Sequence, residues 1–318
     1  MKTALITGIG GQDGSYLAEL LLEKGYEVHG IELHDIPLPN LALIEDRIIV
    51  HRGSLLSHGW LTSVIGNIQP DECYHLAASS FVSYRFNDES LTLENNIVGT
   101  HNLLATLKDL APRSHFFFAS TSEMFGNVDH APQDEYTPLK PRSIYGISKV
   151  AGHNLVQYYR QQYGYYACTG ILYNHESPRR GHAFVTRKIT MTAARIKAGL
   201  AHELRLGNLD AVRDWGYAPE YVNAMHLMLQ ADQPHDYIIS SGGTRSVRDF
   251  VSLAFSYVGL DYRDHVIVDQ AFYRAVEPIA LCGDNRRIVN ALGWHPSTPL
   301  EDIVAIMMEH DLLCIKES

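Results

Sequence analysis

Four cysteines in 318 residues, Cys73, Cys168, Cys282 and Cys314, stand far apart and show no metal-ligand spacing. They read as free thiols in a reducing compartment, so neither a disulfide scaffold nor a zinc module is expected. His153, His175, His182, His295 and the other histidines also lack ligand spacing, and no metal is expected. Cations are in deficit, with 26 Lys and Arg against 36 Asp and Glu and a formal net charge of −10. That balance argues against nucleic acid and anionic membrane surfaces as main partners. No segment approaches the apolar length of a membrane span. The N-terminus MKTALITG passes straight into a strand pattern without a secretory leader, which makes the cytoplasm the default expectation. Internal repeats and low-complexity segments are absent as well.

What remains is an ordinary globular composition, 46% hydrophobic and 19% charged, with ample chain for a large core. Thr3 to Thr7 is a short apolar run, and Gly8-Ile-Gly-Gly11-Gln12-Asp13-Gly14 follows. A helical stripe of Leu17, Leu20, Leu21 and Leu22 comes next, stopped by Gly25, and Tyr26 to Glu32 forms a second strand. Strand, glycine turn, helix and strand together make the context that a dinucleotide-binding fingerprint requires. Gly8 permits the tight turn, Gly11 the approach of a pyrophosphate, and Gly14 close helix–strand packing, while the helix N-terminus offers free N–H groups. Glu32 lies near the spacing at which an acid binds an adenosine ribose 2′-hydroxyl, and no arginine stands between it and Arg47. The cofactor is therefore NAD(P), leaning to NAD.

Further strands are expected at 48–52, 72–77, around Phe116-Phe117-Phe118, at 166–173 and at 237–240, with helices between them at 61–68, 91–110, from Tyr145 to about Tyr163, and at 218–229. This alternation predicts an α/β, doubly wound parallel sheet with a smaller C-terminal α/β substrate-binding domain. The dinucleotide-binding domain would take 1–172 plus about 211–240, and the other domain about 173–210 plus 241–318. Gly53-Ser54-Leu55 falls where adenine would lie, and Leu76, Ala77 and Ala78 belong to a small-residue turn that admits a cofactor closely.

The chemistry concentrates between Ala119 and Lys149. Tyr145 and Lys149 are four apart and share a helix face. A lysine beside a tyrosine is expected to lower the phenol pKa, so that it can take a hydroxyl proton. Thr121 and Glu123 follow the Phe116 strand at its carboxyl end, where open α/β sheets place their ligands. In the second half, Arg179, Arg180, Arg187, Lys188, Arg213 and Arg274 gather in irregular stretches, a chemistry suited to a diphosphate.

The glycine turn, the Thr121 to Tyr145-x-x-x-Lys149 arrangement and the length resemble the extended short-chain dehydrogenase/reductases. More narrowly, Thr7 to Leu17, Ala119 to Gly126, Tyr173-Asn-His-Glu-Ser-Pro-Arg-Arg-Gly181, Val185-Thr-Arg-Lys188 and Arg213-Asp-Trp-Gly216 look like the GDP-mannose 4,6-dehydratases. The resemblance implies Thr121, Glu123, Tyr145 and Lys149 as the catalytic set. It implies Ser80, Asn174, Val185, Lys188, Arg213, Arg274 and Glu277 around a GDP-sugar, and a homodimer or homotetramer. Three departures stand out. Glu32-Leu-His-Asp-Ile-Pro replaces the family's arginine- and serine-rich run, which binds the NADP 2′-phosphate and helps build a tetramer. Ser54 stands where an aspartate is usual, and Tyr84-Arg85-Phe86 replaces a small-residue stretch. The reaction implied is loss of water from a nucleotide hexose, with Glu123 as base at C5. A 4-epimerase or 4-reductase would have no use for that base, and a non-catalytic dinucleotide sensor would have no use for Tyr145.

Overall fold

Short apolar runs pair in parallel here because the chain between them is long enough to return to the same end of the sheet, through a helix in most crossovers and, between residues 32 and 49, through an irregular stretch with two single 3-10 turns, Pro39–Leu41 and Glu45–Arg47. The computed structural model describes residues 1–79, 86–272 and 279–317. Strand β1 (Thr3–Thr7) leads through the glycine turn into α1 (Gln12–Glu23), and β2 (Glu27–Glu32) follows. Next come β3 (Ile49–Arg52), α2 (His58–Ile68) and β4 (Glu72–His75). A long helical run comprises α3 (Phe86–Leu93), a π-helical turn (Glu94–Val98) and α4 (Gly99–Leu110). Strand β5 (His115–Thr121), helix α5 (Ile144–Tyr163) and strand β6 (Ala167–Leu172) complete the first half. The second half holds β7 (Asn174–Glu176), α6 (Val185–Lys197), β8 (Leu204–Leu206), β9 (Val212–Arg213), β10 (Trp215–Tyr217), α7 (Ala218–Gln230) and β11 (Tyr237–Ile239). It ends with β12 (Arg245–Ser246), α8 (Val247–Tyr257), β13 (Val266–Val268), α9 (Arg286–Leu292) and α10 (Leu300–Glu317).

Seven strands form one parallel sheet in the order β11-β6-β5-β4-β1-β2-β3, the doubly wound architecture expected. The winding reverses between β1 and β4, which opens a crevice beyond their carboxyl ends. The phenylalanine run explains how both faces are covered. Phe116 and Phe118 point into a core with Leu61, Leu103 and Val156 from α2, α4 and α5. Phe117 points the other way, among Leu17 and Leu21 of α1 and Met225 of α7. Alternate side chains of a strand leave on opposite faces, and each such ring contributes roughly 1.5–3 kcal/mol by burial. A separate core, away from the sheet, joins α6, α8 and α10 through Ile189, Phe250, Phe255, Ile303 and Met307.

The expected helix over 91–110 starts earlier and is interrupted by the π turn ahead of Gly99. Gly99 lies so close to the chain after β3 that an added Cβ would stand 3.2 Å from Leu55 Cβ. Among the described residues, no helix is long and apolar enough to cross a membrane, and no group of three His, Cys, Asp or Glu could hold a metal ion.

Candidate active site

At the carboxyl end of β1 the chain turns at Gly8 with φ +71°, and a Cβ there would meet Ala77 Cα at 2.9 Å. A Cβ on Gly14 would lie 2.4 Å from the Gly8 carbonyl oxygen, so α1 can approach β1 only with glycine at that position. Gly11 begins α1 without a side-chain cap, which leaves first-turn N–H groups for an anion. The Gly10 amide donates to Glu32 Oε2 (3.2 Å), Leu33 N donates to Glu32 Oε1 (3.1 Å), and Asn40 Nδ2 donates to the Gly10 carbonyl (3.0 Å). Glu32 thus stands at the glycine loop, as its spacing predicts. No arginine stands between Glu32 and Arg47, but sheet register places Arg52 beside Glu32. Its Nη1 donates to the Leu33 and Ile36 carbonyls at 2.7 and 2.8 Å, so it fastens the loop after β2.

Ser54 and Leu55 follow β3, and Asn102 Nδ2 of α4 holds the Leu55 carbonyl (3.0 Å). Leu76, Ala77 and Ala78 follow β4 and pass over the glycine turn, with Leu76 N donating to Thr7 O and Ala77 N to Thr7 Oγ1. A directional chain runs beneath them. Thr7 Oγ1 donates to His75 Nδ1 (2.7 Å), His75 Nε2 to Thr100 Oγ1 (2.8 Å), and Thr100 Oγ1 to Asn96 O (2.6 Å). His75 is neutral, because burial and the nearby Lys149 push its pKa down to about 3. Asn96, turned inward by the π turn, accepts from Ser79 N and donates to Ser148 Oγ, both at 2.9 Å. The turn after β4 and helix α5 are thereby tied together. Asn96 went unrecognised in the sequence because helical periodicity gives no sign of a π turn, and His75 because its partners, Thr7 and Thr100, are distant in the chain.

Thr121 ends β5, and its hydroxyl accepts from Glu123 N (3.3 Å) in the turn that follows. Helix α5 starts against this turn. Ser143 caps it by accepting from Gly146 N, and a Cβ on Gly146 would lie 2.8 Å from the Glu123 carbonyl oxygen. Tyr145 therefore stands in the first turn of α5, near enough to Glu123 and the Thr121 hydroxyl for both to act on its phenol. One turn on, Lys149 is buried, and its Nζ donates to the Ala119 carbonyl (2.7 Å) and lies 5.8 Å from the Tyr145 ring centroid. The four residues come together as the spacing predicts, but the phenol does not titrate as expected. Burial and the Glu123 carboxylate push Tyr145 well above its ordinary range, against Arg180 and Thr121, which pull it down. Burial also brings the Lys149 ammonium down to about 7, and its proton is directed at a carbonyl.

The block from Asn174 to Gly181 closes over α1. His175 donates from Nε2 to Asp13 (2.8 Å) and from Nδ1 to the Tyr173 carbonyl (2.7 Å), and its ring stacks on Tyr221. Two acceptors facing its ring nitrogens favour the imidazolium. Burial opposes that charge, but Asp13 outweighs burial and raises the pKa. Gln12 donates to the His175 carbonyl and accepts from Ser177 Oγ. Two residues of the supposed diphosphate cluster serve elsewhere. Arg179 stacks on Tyr16 and pairs with Glu19 at 2.6 Å, while Arg187 is buried in an ion pair with Asp311. Both guanidinium groups are drawn to carboxylates that sequence distance concealed. Val185 opens α6 on the surface. Lys188 Nζ donates to the Arg205 carbonyl (2.7 Å) and lies 4.2 Å from the Phe272 ring centroid. Arg213 Nη1 donates to the Val212 carbonyl (2.7 Å). Ser80, Arg274 and Glu277 lie outside the described residues.

Residues 5–307 match the model of one protein family, GDP-mannose 4,6 dehydratase. The chain belongs to the GDP-mannose 4,6-dehydratase family. It is 43% identical to GDP-mannose 4,6 dehydratase 1 of Arabidopsis thaliana over 98% of this chain and 90% of that protein. Two solved structures share the fold. RMD from Pseudomonas aeruginosa, complexed with NADPH, gives a TM-score of 0.84 at 24% identity, covering 99% of this chain and 100% of that one. A dTDP-glucose 4,6-dehydratase from Bacillus anthracis, in complex with NAD, gives 0.86 at 20%, covering 98% and 96%. The membership agrees with the motif reading of the Ala119–Gly126 and Asn174–Gly181 blocks.

Proposed function

We propose that the chain is a hydro-lyase that converts GDP-mannose, or a close GDP-sugar, to the 4-keto-6-deoxy sugar nucleotide. The observation that carries this reading is Glu123 set beside Tyr145 at the end of β5, a second base next to the group that serves oxidation. The glycine cradle at Gly8, Gly11 and Gly14, Glu32 at its edge and the turn through Leu76, Ala77 and Ala78 suit a nicotinamide dinucleotide. The carboxylate of Glu32 opposes a 2′-phosphate, and this favours NAD over NADP. When bound, the cofactor accepts a hydride from the sugar C4 and returns it to C6.

Tyr145 removes the O4 proton, which Thr121 orients by a hydrogen bond. Tyr145 starts with a raised pKa, so the ammonium of Lys149 must shift toward it for the phenolate to be accessible near neutral pH. The ketone formed at C4 acidifies the C5 proton, Glu123 takes that proton and passes it to the C6 hydroxyl, which leaves as water, and Tyr145 gives the proton it took from O4 to C5 as the hydride returns to C6. Asn174, Arg213 and Lys188 lie on the segments that would hold the nucleotide, and Lys188 and Val185 would meet the base. Ser80, Arg274 and Glu277 complete that set by family resemblance. The sheet with α1 to α5, α7 and β11 would bind the dinucleotide, and the core of α6, α8 and α10 the sugar nucleotide. Leu91 and Val98, with Ile147, Tyr158 and Tyr163 of α5, are exposed apolar side chains that suit a dimer seam. We place the protein in the cytoplasm.

The test is incubation of the purified protein with GDP-mannose without added cofactor, read by mass and proton NMR. Loss of one water with a new C6 methyl signal is expected. An unaltered sugar nucleotide, with NAD, with NADP and with other GDP-hexoses, would overturn the reading.

A further inference from the structure

Between Glu123 and Tyr145 the chain leaves the site and returns to it as a strap. Its neck is closed where Asn127 N donates to Lys140 O (3.1 Å) and Lys140 N to Phe125 O (3.3 Å). Gly126 at the neck has φ +54°, and a Cβ there would lie 2.0 Å from the Lys140 carbonyl oxygen. Near the far end stands Gln133, an amide with no exposed surface. All its polar positions are used. Nε2 donates to the His130 and Ala280 carbonyls at 2.7 and 3.4 Å, and Oε1 accepts from Tyr173 OH at 3.0 Å and Cys282 N at 2.9 Å. Its backbone adds two further bonds, N to Cys282 O and Asp284 N to its carbonyl.

The same segment, 279–285, is held from its other side by Asp214. This buried carboxylate accepts from Gly283 N (3.3 Å), Ser241 N (2.8 Å) and Gly242 N (3.2 Å). A side chain at 283 has no room, because its Cβ would lie 2.5 Å from Ser240 Cβ. Three members of this cluster are linked along the chain to residues of the candidate site. Tyr173 precedes Asn174, Asp214 follows Arg213, and Gln133 sits on the strap whose two ends carry Glu123 and Tyr145.

We infer that Gln133 and Asp214 are positioning residues for the reaction: through the 279–285 segment they hold the strap that carries the acid–base pair in register with the segments bearing Asn174 and Arg213. The inference rests on the dehydratase reading for those residues' roles, but the mechanical link does not. A buried, fully bonded network transmits displacement because leaving one polar group unmatched is costly. Gln133→Met keeps the volume and removes every side-chain bond. Tyr173→Phe removes one.

The experiment is amide hydrogen exchange on the full chain, wild type against Gln133→Met, with KM and kcat for GDP-mannose measured on the same samples and retained dinucleotide quantified. Faster exchange is expected together in 122–127, 174–177 and 213–216, with no change in α1 or in retained dinucleotide. KM should rise roughly tenfold, well within what a slight misplacement of reacting groups can cost. Tyr173→Phe should move both readouts in the same direction by less. Faster exchange confined to 126–142 with unchanged KM would overturn the link, and so would a Tyr173→Phe protein identical to wild type if Gln133→Met does not fold. A wild type inert toward GDP-mannose whose three segments still loosen together in Gln133→Met would overturn the dehydratase reading and leave the link standing.

Discussion

Glu123 and Lys149 carry the predictions that belong to single residues. Glu123→Gln keeps the shape but cannot take the C5 proton. Exchange of the C5 hydrogen with solvent deuterium and dehydration should fall by roughly 10²–10⁴-fold, the usual worth of a general base, while C4 oxidation persists. Wild-type dehydration in that variant would remove Glu123 from its role. Lys149 has a folded pKa of about 7, against an ordinary value of 10.5. Between those values the unfolded chain binds the proton and the folded chain does not, so the stability of the wild type rises with pH across that window. Relative to Lys149→Met, which has nothing to titrate, it should gain roughly 1.4 kcal/mol per pH unit, checked by denaturant unfolding at pH 7, 8.5 and 10. A flat difference would mean that burial does not favour the neutral amine of Lys149. The placing of Thr121, Tyr145 and Lys149 was legible in the sequence because spacing sets them on a strand end and a helix face, and the glycine turn after β1 and the family resemblance single them out there. The raised phenol was not, since it depends on how much water the fold removes and on Glu123 arriving beside it.

Among elements, α1 and the turn before it are the most constrained by sterics. Gly14→Ala would set a methyl 2.4 Å from the Gly8 carbonyl oxygen and 2.7 Å from Ile9 Cα, both backbone atoms that cannot swing aside. Forced separation of helix and strand should cost roughly 1–3 kcal/mol, with dinucleotide retention lost alongside. Thermal midpoint and retained cofactor would show it, and unchanged values for both would refute the close-packing argument. Gly25→Ala is a useful control for added bulk, since a Cβ there meets nothing within 4 Å, although its φ of +81° makes some strain certain. The glycine turn was readable because glycine placement is a local steric matter. The π turn was not, because it is stabilised by what Asn96 reaches: Ser79 and Ser148 across the fold. The assignment of Arg179 and Arg187 to a diphosphate failed for the same reason, since their carboxylate partners are 160 and 124 positions away.

For the whole molecule, the exposed apolar side chains of α5 and of the helical run before β5 lie outside both sheet cores. If they form the dimer seam, Leu91→Arg with Tyr158→Arg should shift the sedimentation coefficient from dimer to monomer without disturbing the fold seen by circular dichroism. A wild type that sediments as a monomer would dispose of the seam.

The sequence by itself determined the parallel α/β architecture, the glycine turn after β1 and the placing of Thr121 at a strand end with Tyr145 and Lys149 on one helix face. Each depends on local periodicity, glycine sterics or a spacing of a few residues. Tertiary structure alone decided which charges meet. It brought Arg52 to the loop after Glu32, set His175 on Asp13, withdrew two arginines from the supposed anion site and closed the strap around Gln133. Those pairings arise where distant segments are buried together, and there an unmatched polar group costs enough to select its partner.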